Sequence, residues 1–189
     1  RRKLSTKLAE RRIDDMLVTH LTHVRYLSGF SGSNGAMLVS KDRTAAIATD
    51  GRYTTQIGEE VPDIAATIER NVGVAMLSKA AEGHRVGFEA DYVSVAQLEK
   101  LREACPEGVT LVPVSGVIEE IRLIKDNLEL TRLTEAAELT VEALKGLLEA
   151  GELLAGRTER EVAADLEYRM RVLGAERVSF DTIVASGPN

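Results

Sequence analysis

The chain has 189 residues, 44% apolar and 29% charged, which is enough to bury a real core and excludes a disordered or fibrous chain. No apolar run approaches the roughly 18 residues of a membrane span, no signal segment opens the sequence, and the single cysteine, Cys105, cannot close an internal disulfide. The composition therefore predicts a soluble cytoplasmic protein with no membrane partner. The net charge of −6 is uneven: residues 1–118 carry 15 basic and 15 acidic side chains, residues 119–189 carry 9 and 15, leaving no basic footprint for nucleic acid.

In chain order, Leu4, Leu8 and Ile13 fall at helical spacing, and Met16-Leu17-Val18-Thr19 reads as a short strand. A loop is expected around His20 to His23, followed by Val24-Arg25-Tyr26-Leu27 and a glycine-rich turn over 28–35. Residues 36–49 read as a β-hairpin turned at Lys41-Asp42-Arg43. Helical and extended signals then alternate: 51–60 helical, 65–69 extended, 72–81 helical, 85–88 extended. Ser94 and Gln97 form a capping box before Val95, Leu98 and Leu101, and Thr110-Leu111-Val112-Pro113-Val114 is the last strand. This is the pattern of an α/β domain with a mixed sheet, about six strands and four or five helices.

A linking helix is expected over 117–124, where the acidic part begins. Asp126 with Glu129 caps a long helix whose stripe Leu130, Leu133, Ala137, Val141, Leu144 and Leu148 runs to Gly151. Thr158 with Glu161 caps another, carrying Val162, Leu166, Met170 and Leu173 as far as Gly174, and residues 177–186 look strand-like. Two amphipathic helices and one strand cannot cover each other's apolar faces, so the second unit reads as the opening of a larger domain.

Few residues suggest chemistry on their own. His20 and His23, at i and i+3, could begin a metal site, yet no cysteine or carboxylate stands at ligand spacing beside them, and locally bonded loop histidines are the better account. The loop Gly29 to Gly35 lacks both the dinucleotide spacing and the P-loop lysine, and reads as a turn needing positive φ. Asp50 is placed as an N-cap, with Arg52 or Tyr53 free to face a ligand at a strand-to-helix junction. Ser94, Ser179 and Ser186 lack a nucleophile elbow, and Cys105 reads as a small semi-buried residue.

Five stretches in order go further: residues 24–35 (VRYLSGFSGSNG), 49–53 (TDGRY), 86–89 (VGFE), 122–126 (RLIKD) and 180–189 (FDTIVASGPN). Together they resemble the Xaa-Pro peptidases, aminopeptidase P and prolidase, of the creatinase and methionine aminopeptidase superfamily, peptidase family M24. The resemblance implies a creatinase-type α/β domain over 1–118, a linking helix over 119–126, and over 127–189 the incomplete start of an α+β pita-bread metallopeptidase domain. It implies hydrolysis of the bond before proline in short peptides by the full-length protein, with two divalent metal ions, manganese first and cobalt or zinc as substitutes. The family's ligands all lie beyond Asn189, so no residue here inherits a catalytic or metal role, and the chain alone is expected to be inactive. Phe180 and Ile183 are the expected walls of an apolar substrate pocket, Arg52 and Tyr53 its entrance, and a homodimer or higher oligomer the expected assembly. One departure is His23, where relatives commonly have asparagine, which bears on the hydrogen bonds of that segment. The other class of function is a non-catalytic protein-binding module on the same scaffold; the residues after Asn189 discriminate, and the lack of a charged low-complexity tail favours the enzyme.

Overall fold

Met16 and Val18 project from one side of a strand and Leu17 from the other; likewise Met37 and Val39 oppose Ala36 and Leu38, and Ile47 opposes Ala48. This period of two places apolar side chains on both faces, so the sheet must be covered twice. In the computed structural model, which describes residues 1–151, 153 and 155–187, that is what the first of two compact units, Arg1–Ile124, does. Its six strands are β1 (Asp15–Val18), β2 (Gly35–Ser40), β3 (Ala45–Thr49), β4 (Ala66–Ile68), β5 (Arg85–Glu89) and β6 (Thr110–Val114), in the order β4-β3-β2-β1-β5-β6. Only β2 runs against its neighbours, pairing Met37 with Val18 and with Ile47; the other pairings are parallel.

One face is covered by α1 (Arg2–Glu10), α2 (Leu21–Ser28), α3 (Thr54–Glu60) and α6 (Val117–Leu123), which bury Leu4, Leu8, Val24, Leu27, Ile57, Val117, Ile118 and Ile121 with Phe30. The other is covered by α4 (Val72–Leu77) and α5 (Val95–Glu103), which bring Met76, Leu77 and Leu101 onto Leu17, Leu38 and Val86. Each fully buried side chain of this size contributes about 1.5–3 kcal/mol of transfer free energy, so the two cores outweigh the surface ion pairs, such as Arg1 with Asp63, as the source of stability. The Ser94–Gln97 capping box is formed as expected.

Three expectations need correction. His20 to His23 is not a loop: His20 is the N-cap of α2, and Val24 and Leu27, one turn apart, are buried in the core while Gly29 ends the helix at φ +90°. The expected boundary at residue 118 also moves, because Val117, Ile118 and Ile121 are buried in the first core and that unit extends to Ile124. In the second unit, residues 177–186 are irregular and not a strand. No described strand lies beside them there, and an unpaired strand leaves its N–H and C=O groups unsatisfied.

The second unit, Lys125–Asn189, consists of α7 (Asn127–Glu149) and α8 (Glu159–Val172), each opened by the expected capping box. Ala143, Leu147 and Val162 are its buried residues among those described, and Leu130, Leu133, Val141, Leu144 and Leu148 of the apolar stripe are exposed, as expected of a unit too small to cover it. Pro188 and Asn189 of the terminal motif lie outside the described residues.

Candidate functional site

The carboxyl ends of β1, β3, β4, β5 and β6 share one edge of the sheet with the start of β2. From β1 the chain turns to α2 on one face; from its neighbour β5 it turns to α5 on the other. Such a divergence opens a crevice in which α/β sheets hold ligands. Here it is filled from within. Glu89, the last residue of β5 and 4% exposed, accepts the backbone N–H groups of Thr19 (2.7 Å) and His20 (2.8 Å) on one carboxylate oxygen, and its other oxygen lies 2.6 Å from His23 Nδ1. With Glu89 ionised, His23 Nδ1 is the donor. His23 Nε2 is buried without a hydrogen-bond partner, 3.7 Å from Glu119 Oε1.

Around this pair the rings of His20 and Tyr92 stack at 3.9 Å, and His23 meets both edge-on. His20 Nδ1 is buried and unpartnered; desolvation first, then the neighbouring His23, holds its imidazole below the ordinary 6.5, against the opposing pull of Glu89 and Glu119. Tyr92 donates its hydroxyl to Glu119 at 2.9 Å, which raises the phenol. Burial pushes Glu119 up, but hydrogen bonds from its own backbone and from Tyr92 outweigh that and lower it. Among the described residues no group of three or more His, Cys, Asp or Glu could hold a metal ion, so the residues present do not fit a metal centre. The two histidines serve in hydrogen bonding and stacking.

Farther along the same edge, Asp50 directly follows β3 and caps a turn of 3-10 helix, Gly51–Tyr53, by accepting the N–H of Arg52. The Arg52 guanidinium returns two bonds to the same carboxylate (2.9 and 2.8 Å) and Asn34 Nδ2 adds a third (2.7 Å), holding Asp50 far below its ordinary value. Tyr53 hydrogen-bonds Ser33 through its hydroxyl (2.6 Å) and meets Phe30 edge-on. The glycine-rich turn is pinned to this junction. Gly32 lies against the Phe30 ring, where any Cβ would collide with it, and Glu60 accepts both the N–H and the hydroxyl of Ser31. Arg52 and Tyr53 thus brace the loop, with the Arg52 side chain largely in solvent.

Phe180 and Ile183 are 73% and 84% exposed, at the rim of a cavity of about 630 Å³ within the second unit, between Leu139 of α7, Met170 of α8 and residues 174–183. Cys105 offers its thiol to the Val109 carbonyl at 3.6 Å, and burial raises it, the opposite of an activated nucleophile. Sequence reasoning missed the Glu89 cluster. The available signal was a carboxylate closing the apolar run Val86-Gly87-Phe88, together with the histidine pair that follows β1.

Residues 1–124, the whole of the first unit, match the family model of the creatinase/prolidase N-terminal domain. The chain belongs to that family. Residues 131–189 match metallopeptidase family M24, so the creatinase-type domain is followed by the start of an M24 domain. The chain is 36% identical over 188 residues to the peptidase YqhT of Bacillus subtilis, covering 98% of this chain and 52% of that protein. It is 31% identical over 179 residues to the Xaa-Pro dipeptidase of Pyrococcus horikoshii, covering 93% and 48%. Among solved structures, the creatinase/prolidase-like N-terminal domain of a metallopeptidase from Corynebacterium diphtheriae matches with 58% identity and a TM-score of 0.60 over 61% of this chain and 93% of that one. The Xaa-Pro dipeptidase of Bacillus anthracis matches with 30% identity and a TM-score of 0.83 over 95% and 50%. The chain spans about half the length of the curated relatives it matches most fully.

Proposed function

We propose that this chain is the N-terminal part of a cytoplasmic Xaa-Pro metallopeptidase that cleaves the peptide bond before proline in short peptides. The reading rests on one observation: a creatinase-type match and an M24 match follow each other in one chain, and the likeness to an Xaa-Pro dipeptidase covers 93% of it. In this reading two divalent metal ions, manganese or in its place cobalt or zinc, belong to residues outside this chain, and the working enzyme is a homodimer or larger. The creatinase-type domain closes over the substrate, with Arg52 and Tyr53 at the entrance and Phe180 and Ile183 beside the proline ring. The chain by itself does not hydrolyse Xaa-Pro peptides.

The test has two parts. The purified chain with added manganese is expected to leave a proline dipeptide intact; turnover that survives removal of trace contaminants would overturn its inactivity. A protein extended past Asn189 to the length of its relatives is expected to prefer Xaa-Pro over Xaa-Ala, and a folded extended protein with no peptidase activity would favour the binding-module reading. In the extended enzyme, Phe180→Ala is expected to lower the ratio of kcat/KM for Xaa-Pro over Xaa-Ala while the protein stays folded and metal-loaded. A drop in melting temperature with the ratio unchanged removes Phe180 from the pocket. In the present chain the same change is expected to shift stability by under about 0.5 kcal/mol, because the ring is exposed.

A further inference from the structure

The sheet edge holds a second concavity, bordered by Thr19 next to the Glu89 crevice and by Ser33, Asn34 and Gly35 of the braced loop. It is a pocket of about 460 Å³ between α4, α5 and the ends of β1 and β2, within the usual size of small-molecule sites. Its apolar lining comes from Leu21, Val72, Val74, Val93 and Leu101. The polar groups at its margin divide sharply. Ser33, Asn34 and Gln97 are engaged within the fold, with Tyr53, with Asp50 and the Arg70 carbonyl, and in the α5 capping box respectively. Arg70, Asn71 and Lys100 also line the pocket, and none of their side chains has a hydrogen-bond or ion-pair partner among the described residues.

Two unpaired cations over an apolar lining, with no acidic side chain among the lining residues, specify the ligand's chemistry: one anionic head and a compact hydrocarbon body. We propose that this pocket binds a small carboxylate with a branched aliphatic body, its head held by Arg70 and Lys100 with Asn71 as a further donor. An amino-acid zwitterion is disfavoured, because no carboxylate lines the pocket to answer an ammonium. A bare inorganic anion would leave the apolar lining unused.

The experiment is a titration of the whole chain with isovalerate, isovaleramide and inorganic phosphate, followed through the backbone amides of Thr19, Gly35 and Gly73 in nitrogen–proton correlation spectra. Saturable shifts with isovalerate are expected, with isovaleramide about tenfold weaker, the value of one charge-assisted bond. Arg70→Gln and Lys100→Gln are each expected to weaken isovalerate about fivefold or more and to leave isovaleramide unchanged. Both side chains are exposed and unpaired, so the variants remain folded and the amide spectrum of the core reports it. Absence of saturable shifts, equal binding of the amide, or phosphate acting on the same amides as strongly as isovalerate would each overturn the proposal.

Discussion

Glu89 shows how much one buried side chain can hold. Its carboxylate satisfies two backbone N–H groups where the chain leaves β1 and enters α2, and it fixes the ring of His23. Replacing it by leucine keeps the volume but leaves two part-buried backbone N–H groups and the buried His23 ring nitrogen without their partner. Glu89→Leu is expected to cost about 3–5 kcal/mol, read as the shift in urea midpoint. A loss below about 1 kcal/mol would mean that water reaches these groups freely. His20 makes a second, pH-dependent case. Its imidazole is held below the ordinary 6.5, so the unfolded chain binds the proton more tightly. The associated stability is complete above about pH 6.5 and declines as pH falls from there toward the lower folded-state value. In His20→Phe, which keeps a ring against Tyr92, the fall of melting temperature between pH 7 and pH 5 is expected to be shallower than in the parent; identical slopes would contradict the assignment.

Among the elements, capping chemistry was the most legible feature, since the boxes at Ser94, Asp126 and Thr158 are all formed. Ser94→Ala is expected to cost about 1 kcal/mol and Ser94→Gly only a few tenths, measured by chemical unfolding. Equal losses would indicate that the hydroxyl is not what starts α5. The strands were legible for a similar reason, because period-two burial on both faces leaves few alternatives to helices on both sides. Less legible was α2, only eight residues long, whose buried face is His23, Val24 and Leu27, a polar ring beside only two apolar side chains. Periodicity located the apolar side of α7 but could not say what lies against it: Ala143 and Leu147 are buried, while Leu130 and Leu133 stay over half exposed. The candidate site was least legible, since Glu89, His23 and Glu119 are far apart in sequence and only the parallel pairing of β1 with β5 and the placing of α2 and α6 on one face bring them together.

For the whole molecule, the contrast between the units decides behaviour. The first has two apolar cores around a central sheet; the second has two helices with a few buried residues and five large apolar side chains of α7 along an open face. Local openings should therefore be far more frequent after Ile124 than before it. Limited proteolysis is expected to cut from Lys125 onward and leave a stable fragment ending near Ile124. A protected second unit with a digested first would contradict this ordering.

The filled crevice between β1 and β5 has a consequence for what this domain can be used for. A ligand bound in such a place comes and goes, and the fold around it tightens and loosens with occupancy. Glu89 is tethered there by the backbone of β5, so its local concentration is set by the chain and does not depend on supply. The domain is permanently saturated at the position where comparable sheets sense their cargo, and α2 is fastened whether or not anything else is bound. Recognition must then be a matter of the remaining edge and loops, presented by a frame in which the junction of β1 and α2 is held by the chain itself.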